Sequence, residues 1–186
     1  MSRRYGPLVL VLGAIWGASY LFIKVGVRDF EPTFFIDMRL LIGGILLFGF
    51  LAVREGARSA LVGIRDAWRE GLVFGVINGA LPFTLIAWGE THIDSGVAAV
   101  ANASVPIFVV LLAIKLNPGE RSSGLKLVGI CLGLAGVGVL AGVHPEGGGW
   151  AVLGTLAVVL ASVSYAAGGL YGQRAVGRVS GPVIAT

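Results

Sequence analysis

The chain has 186 residues, of which 56% are hydrophobic and 13% charged, with a formal net charge of +4. Soluble domains average about 45–50% apolar and about 25% charged residues, so charges this sparse cannot cover a water-exposed surface. The composition argues against a soluble enzyme or a nucleic-acid-binding protein, and it excludes a disordered chain. An integral membrane protein remains, and at about 20 residues per helix its length admits roughly six or seven crossings.

Long apolar runs predict six membrane-spanning helices, at residues 7–27, 32–53, 71–89, 95–116, 124–143 and 150–172. Each run can cross a hydrocarbon core about 30 Å thick at about 1.5 Å per residue. The first run is interpreted as a retained span rather than a signal peptide. Its apolar stretch is longer than the apolar region of a typical signal peptide, and no small-residue cleavage site follows. The predicted fold class is therefore all-α, a polytopic membrane helix bundle with six transmembrane helices.

Lysine and arginine residues fall almost entirely on one side of this predicted topology. The opposite side carries only Arg28. The positive-inside rule therefore predicts a multi-pass protein with a cytoplasmic N-terminus. The residues on the cytoplasmic side are Arg3, Arg4, Arg54, Arg58, Arg65, Arg69, Lys115, Arg121, Lys126, Arg174 and Arg178.

The cytoplasmic loop after the second span carries four arginines on one predicted helical face, at positions 54, 58, 65 and 69. Their spacing of four, seven and four residues places them together on a helix. We interpret this loop as a linker helix that lies on anionic lipid, with a regulatory or partner-binding surface as the alternative.

Thirty glycines occur in the chain, many at small-xxx-small spacing, as in Gly13 with Gly17 and Gly168 with Gly172. Such spacing lets helix backbones approach closely in lipid. Tight packing within the bundle is the simplest interpretation. Sliding of helices during a transport cycle and a homodimer contact are the alternatives.

Pro82 and Pro106 fall inside the third and fourth spans. Each proline removes a backbone hydrogen bond and is expected to bend its helix, so both are candidate hinges. Asn78 lies near the first proline and Asn102 near the second. These amides either border a polar cavity or satisfy the backbone groups that the prolines leave free.

Four ionisable side chains lie within the predicted spans or at their ends, all in the outer half of the membrane. A charge in lipid costs about 2.5–3.5 kcal/mol on insertion scales, so each should face the bundle or water. We expect contacts between helices, for example from Asp37 or Glu90 to Lys24; the alternative is that these groups bind an ionic substrate or carry a coupling proton. The four residues are Lys24, Asp37, Arg39 and Glu90.

Trp16 and Tyr20 precede Lys24 by two turns and one turn, so the three form one stripe along the first helix. A tryptophan at mid-membrane depth is unusual for an interfacial belt and favours packing in the bundle or lining of a cavity. The candidate substrate pathway therefore consists of Trp16, Tyr20, Lys24, Asp37, Arg39, Asn78, Glu90 and Asn102.

Catalytic and metal-binding sequence motifs are missing, and the single Cys131 can form no internal disulfide. We therefore expect no enzyme activity, no cofactor, no metal site and no nucleic-acid partner. The expected partners are a small-molecule substrate, membrane lipid and a coupling proton.

Four segments resemble those of a known family. They are WGASYLFIK at 16–24, DMRLLIGGILL at 37–47, ALPFTLIAWGETHIDSGVAAVANASVPIFVVLLA at 80–113, and PGERSSGLKLVGICLGLAGVGVLAG at 118–142. In their order and spacing, the chain resembles the drug/metabolite transporter superfamily, specifically its EamA-type members. The resemblance implies ten helices in two inverted five-helix repeats, with the substrate at their interface near the membrane midplane.

The resemblance also implies the domain organisation. Residues 1–143 would form the first repeat and residues 150–186 would begin the second, so we expect a chain truncated after its sixth helix. A shift of the sixth span onto the first pairs Trp16 with Tyr165 and Lys24 with Gln173.

By resemblance, Lys24 and Arg39 match the basic positions of the family's first two helices. Glu120 matches a glutamate between helices four and five, and we expect it to pair locally. The implied function is secondary transport by alternating access in a bacterial inner membrane, with export of small metabolites or of amino-acid-like, amphipathic compounds. A non-transporting membrane assembly or scaffold subunit is the alternative.

Overall fold

The computed structural model describes residues 6–116, 125–142, 148–176 and 183, and every regular element within these ranges is a helix. This confirms the all-α prediction. In chain order the elements are α1 (Gly6–Asp29), α2 (Pro32–Glu55), α3 (Ala57–Asp66), α4 (Trp68–Gly75), a π-helical turn (Val76–Ala80), α5 (Leu81–Glu90), α6 (Ser95–Asn102), α7 (Val105–Leu116), α8 (Leu125–Gly142) and α9 (Gly148–Val176).

Five stretches of the described chain are long and apolar enough to cross a membrane: Gly6–Asp29, Pro32–Glu55, Trp68–Glu90, Ser95–Ile114 and Gly148–Ala175. They coincide with five of the predicted spans and confirm a polytopic helical membrane bundle. The remaining predicted span, 124–143, coincides with α8, of whose side chains the structure describes only a part. Glu120 lies outside the described residues.

The surface of the bundle is apolar and its interior holds polar side chains. Large hydrophobic residues of α1 and α2, such as Leu10, Phe22 and Leu46, are 68–75% exposed. In lipid this exposure is tolerated, whereas polar groups must find partners inside the protein. The buried polar side chains are Glu90, Asn102, Ser104, Thr155, Ser162 and Ser164.

Helix α9 occupies the centre of the bundle. In its membrane-spanning window 61% of the residues are buried, against 11% in α1 and in α2. It runs antiparallel to the continuous helix Trp68–Glu90, with Gly154 beside Gly89 near one end and Gly168 beside Asn78 farther along. A Cβ added at Gly89 would lie 2.8 Å from the carbonyl oxygen of Gly154, so the two backbones touch.

The glycines predicted to permit close packing divide into two groups. A Cβ added at Gly168 or at Gly172 would come within 2.8 Å of Asn78 or Phe74, which confirms tight packing at these positions. Among the described residues, nothing lies within 4 Å of a Cβ added at Gly13 or Gly17. A homodimer contact through that open face of α1 stays a prediction.

Helical hydrogen bonding changes next to Pro82. The π-helical turn Val76–Ala80 comes just before this proline, which is the second residue of α5. The hydroxyl of Ser164 on α9 donates to the carbonyl oxygen of Ile77 at 2.6 Å. A serine of a neighbouring helix therefore supplies a donor to the irregular segment, as expected where a membrane helix loses its regular bonding.

A second interruption precedes Pro106. Helix α6 ends at Asn102, and α7 begins at Val105. The Ser104 hydroxyl donates to the carbonyl oxygen of Ala101 at 2.7 Å. The structure thus places an irregular turn beside each proline, while their roles as hinges stay predictions.

Helix α3 forms in the loop predicted to be a linker helix. Its buried Ala60 packs in a small cluster with Leu51, Ala67 and Val183. Arg54, Arg58, Arg65 and Arg69 are all exposed on or beside it. Contact of these arginines with anionic lipid stays a prediction.

The contact between α5 and α9 can be tested at Gly89. We expect Gly89→Ala to destabilise the bundle by about 1–3 kcal/mol, because overpacking at a filled contact forces the helices apart. Gly17→Ala is the matched control, since a methyl group there meets open space and replaces glycine with a better helix former. Thermal unfolding of both variants in detergent micelles measures the difference, and equal unfolding temperatures would contradict the close contact.

Candidate functional site

A buried chain of hydrogen bonds connects three helices. The Asn102 side-chain amide of α6 donates to the Tyr20 hydroxyl of α1 at 2.6 Å. The Ser162 hydroxyl of α9 donates to the Asn102 side-chain oxygen at 3.1 Å. All three residues are at most 8% exposed, so these bonds form away from solvent and fix α1, α6 and α9 relative to one another.

Arg39 brings a cation into the same region from α2. Its Nη2 donates to the Ser19 hydroxyl of α1 at 2.8 Å. Its guanidinium carbon lies 4.6 Å from the centroid of the Phe83 ring of α5, a cation–π distance. Arg39 is half-buried, so its charge is held at the edge of the bundle interior.

Three aromatic side chains form a wall beside Arg39. The Phe83 and Tyr165 rings meet edge to face with centroids 6.0 Å apart, and the Trp16 and Tyr165 rings do so at 6.2 Å. The Tyr165 hydroxyl is buried, and among the described residues it has no hydrogen-bond partner. Trp16 is 49% exposed, so the wall formed by Trp16, Phe83 and Tyr165 reaches the edge of the bundle.

Lys24 lies one turn beyond Tyr20 on α1 and contacts the end of α5. Its ammonium donates to the backbone carbonyl oxygen of Glu90 at 2.6 Å and to that of Ile93 at 2.7 Å. The last carbonyls of a helix lack helical partners and carry partial negative charge, so they attract a cation. Lys24 therefore contacts Glu90, as expected, but it binds the backbone oxygen of this residue and not its carboxyl group.

The Glu90 side chain itself is completely buried, with 0% exposure. Neither of its carboxyl oxygens has a hydrogen-bond partner among the described residues. Because buried polar atoms are nearly always paired, this side chain is an exception that needs an explanation.

A cleft of about 760 Å³ lies between α2 and the helix that contains α4 and the π-helical turn. Arg39 and Asn78 line it at mid-helix positions, and Ile64 and Trp68 line it near α3. Arg39 also borders a second cleft of about 580 Å³ beside Phe34 on α2. The lining of this second cleft is apolar, so the larger cleft is the one that offers polar groups beside Arg39.

The structure brings most of the predicted pathway residues together. Trp16, Tyr20 and Asn102 take part in the contacts that join α1 to α6 and α9, and Arg39 lies beside them. Lys24 contacts Glu90 one turn farther along α1. Asn78 lines the larger cleft. Asp37 is exposed on α2. Arg39 and Asp37 are two residues apart and therefore face different directions on one helix.

Sequence reasoning did not include four side chains that complete the site: Ser19, Phe83, Ser162 and Tyr165. Serine and phenylalanine are ordinary residues of apolar spans and give no signal of their own. Tyr165 did carry a signal, because it aligns with Trp16 when the sixth span is shifted onto the first. Within the ranges that the structure describes, no group of three or more His, Cys, Asp or Glu side chains could hold a metal ion.

Comparison with known families assigns the sequence to a family. The model of the EamA-like transporter family matches residues 4–142, which is most of the chain. The chain belongs to the EamA-like transporter family. The resemblance drawn from the sequence is thereby confirmed.

Named relatives agree with this assignment. The chain is 31% identical over 178 residues to the "Uncharacterized inner membrane transporter YedA" of Escherichia coli K12, with 92% of this chain and 56% of the relative covered. It is 27% identical over 184 residues to a "Probable amino-acid metabolite efflux pump" of the same strain, with 99% and 58% covered. A third relative is the "Uncharacterized transporter YvbV" of Bacillus subtilis, 27% identical over 178 residues with 96% and 56% covered.

The chain spans a little over half the length of these curated relatives. No solved structure shows significant similarity to it. The family, the relatives' names and the apolar helices together support a multi-pass protein of a bacterial inner membrane, and they indicate a transporter rather than an enzyme.

The buried hydrogen bond between Tyr20 and Asn102 can be measured by a double-mutant cycle of Tyr20→Phe and Asn102→Ala. We expect a coupling free energy of about 0.6 kcal/mol, the average for hydrogen bonds between membrane helices, and at most about 1.7 kcal/mol. Unfolding in mixed micelles gives the four stabilities. The same cycle with Tyr171→Phe in place of Tyr20→Phe should show no coupling, and equal values in the two cycles would contradict the bond.

Proposed function

We propose that this chain forms part of a secondary transporter that exports small amphipathic metabolites across a bacterial inner membrane by alternating access. The observation that carries the proposal is Arg39, a half-buried cation that borders the larger cleft and lies against the aromatic wall. Membership of the EamA-like family supports transport over the alternative of a non-transporting assembly subunit.

The chemistry around Arg39 favours a substrate with a carboxylate and an apolar body. A guanidinium carries five N–H donors, and in the described part of the chain its side-chain bond goes to Ser19 alone. The remaining donors suit a carboxylate, which arginine binds through two parallel hydrogen bonds. The aromatic wall of Trp16, Phe83 and Tyr165 then lies beside the apolar body of the substrate. Amino-acid-like compounds have this composition, and one relative is named an amino-acid metabolite efflux pump.

A contact between corresponding residues supports the inverted-repeat arrangement. Trp16 and Tyr165 align when the sixth span is shifted onto the first, and their rings touch. Residues close to a two-fold axis contact their own equivalents. The pair would then mark the axis between the two repeats, where transporters of this kind bind their substrates.

The direction of the pathway follows from the charge pattern. The larger cleft ends beside α3, and the exposed arginines there favour a cytoplasmic position for α3 under the positive-inside rule. We therefore propose a cytoplasmic N-terminus and a cleft that receives substrate from the cytoplasm. A coupling proton belongs to the same proposal, and of the two acidic residues expected to carry it we favour the buried Glu90 over the exposed Asp37.

The role of Arg39 is tested by substrate counterflow in proteoliposomes. They contain the protein expressed from the complete reading frame that includes this sequence. We expect Arg39→Gln to lower phenylalanine counterflow by about 10-fold or more, since a hydrogen bond to a charged group contributes about 1.5–3 kcal/mol. Arg39→Lys should recover part of this loss, because it restores the charge without the planar donor geometry. Phenethylamine, which lacks the carboxylate, should be transported poorly by wild type and be insensitive to the substitution.

Asp37→Asn is the matched control on the same helix. Because Asp37 is exposed and faces away from the site, we expect phenylalanine counterflow close to that of wild type. Equal activity of wild type and Arg39→Gln would remove Arg39 from the pathway. A wild-type protein that moves no member of a panel of amphipathic carboxylates would contradict the proposed function.

A further inference from the structure

Glu90 and Lys24 together form an unusual arrangement at the end of α5. The Glu90 carboxyl group has 0% exposure and its two oxygens have no partner among the described residues. The ammonium of Lys24 contacts the backbone oxygen of the same residue rather than the carboxyl group. An acid and a base therefore lie side by side, yet the hydrogen bonds of the base go to main-chain carbonyls.

This arrangement suits a carboxyl group that carries a proton. An ionised carboxylate buried in a membrane bundle needs a cation or several donors, because an unpaired buried charge is strongly unfavourable. A neutral carboxylic acid has no such requirement. With Glu90 neutral, Lys24 is free to bind the carbonyl oxygens of Glu90 and Ile93.

The two hydrogen bonds of Lys24 also have a mechanical consequence. They join the last turns of α1 to the turn between α5 and α6, which begins at Thr91. We call the pair of bonds from Lys24 to the Glu90 and Ile93 carbonyl oxygens the Lys24 latch. Both bonds are at most 2.7 Å long, as charge-assisted hydrogen bonds are.

We propose that Glu90 is a proton-binding site and that its protonation controls the Lys24 latch. With the proton bound, Lys24 holds the two carbonyl oxygens and α1 stays attached to the turn between α5 and α6. When the proton leaves Glu90 for water, the new carboxylate competes with the carbonyls for the ammonium. Lys24 then turns to the carboxylate, the latch opens and this end of α1 moves away from the turn.

The proposal rests on the proposed function in one respect, that opening and closing of this end of the bundle belongs to a transport cycle. It assigns the coupling proton to the buried Glu90 and not to Asp37, which is exposed. A proton that alters a packed contact between helices can shift a two-state equilibrium, whereas a proton on an exposed side chain has little leverage.

Other titratable groups surround Glu90 and must be separated from it. Helix α1 contributes Tyr20 and Lys24, and α2 contributes Arg39, which is bonded to Ser19. Helix α6 contains no ionisable residue. On α9, Gly154 lies beside Gly89, the residue before Glu90. The ionisable residue of α9 nearest in sequence to Gly154 is Tyr165, about three helical turns away. Asp94 precedes α6 and is exposed.

His92 is the main competitor for a pH response. Its ring lies between those of Trp88 and Trp150, at centroid distances of 4.6 Å and 5.2 Å. An imidazole ring can bind a proton, and this one packs beside the turn between α5 and α6, so its contribution must be separated from that of Glu90. His92→Gln is therefore an essential control.

The test measures the distance across the latch. Spin labels are placed at Arg28→Cys on α1 and Gly96→Cys on α6, both exposed positions, in a Cys131→Ser background. The protein is reconstituted in vesicles of phosphatidylethanolamine and phosphatidylglycerol, and the distance distribution is recorded by pulsed electron paramagnetic resonance at acidic and alkaline pH. We expect wild type to show the shorter distance at acidic pH and a longer one at alkaline pH.

Three variants identify the groups responsible. Glu90→Gln keeps the shape of the protonated acid, so we expect the short distance at both pH values. Lys24→Met cannot form the latch and should show the longer distance at both. His92→Gln should respond to pH as wild type does. A wild-type distance that ignores pH, a Glu90→Gln variant that responds fully, or a His92→Gln variant that loses the response would each overturn the proposal.

Infrared spectroscopy provides a measurement that does not depend on the labels. The carbonyl stretching band of a protonated carboxylic acid should be present in wild type at acidic pH and lost in Glu90→Gln. Its persistence in Glu90→Gln would assign the proton to another group. Neither measurement needs a transported substrate, so failure of the latch proposal and failure of the proposed export function can be told apart.

Discussion

The backbone contact between α9 and the helix Trp68–Glu90 is the constraint on which the rest of the bundle depends. Gly89 and Gly154 let the two main chains touch, and Gly168 admits the side chain of Asn78. Membrane helices gain little from hydrophobic association, so such close packing and hydrogen bonding must hold them together. With α9 in place, Ser164 reaches Ile77, Ser162 reaches Asn102, and Tyr165 stands against Phe83 and Trp16.

Three residues on one face of α1 each contact a different neighbouring helix. Trp16 meets Tyr165, Tyr20 accepts a hydrogen bond from Asn102, and Lys24 binds the end of α5. Residues four apart lie on one face of a helix, so the stripe contacts three different neighbours at three heights. Because all three contacts involve α1, a movement of this helix would alter them together.

The bundle accommodates its charges by using partners other than opposite charges. Arg39 binds a hydroxyl and an aromatic ring, and Lys24 binds two carbonyl oxygens. A basic side chain within the membrane costs about 2.5–3.5 kcal/mol on insertion scales. Hydrogen bonds to charged groups contribute about 1.5–3 kcal/mol each, so these contacts offset the cost of insertion. They also leave the carboxyl oxygens of Glu90 without a hydrogen-bond partner among the described residues, as the proposed proton site requires.

The sequence alone determined the class of protein, the membrane-spanning helices and the family. Hydropathy and the spacing of residues on one helix are local properties, so they can be read without knowing any neighbour. For the same reason the stripe of Trp16, Tyr20 and Lys24 was predictable, as were Arg39 and Asn102 as polar groups within the spans. The opposite directions of Asp37 and Arg39 follow from helix geometry alone.

Only the tertiary structure decided which groups those side chains meet. It gave Lys24 the carbonyls of Glu90 and Ile93 and completed the site with Phe83 and Tyr165. Within the described part of the chain, it left the Glu90 carboxyl group without a hydrogen-bond partner. These contacts join residues far apart in the chain and depend on how each helix is rotated and at what height it packs. Those quantities are set by backbone contacts such as that of Gly89 with Gly154, which depend on the pairing of two distant helices and therefore leave no local pattern in the sequence.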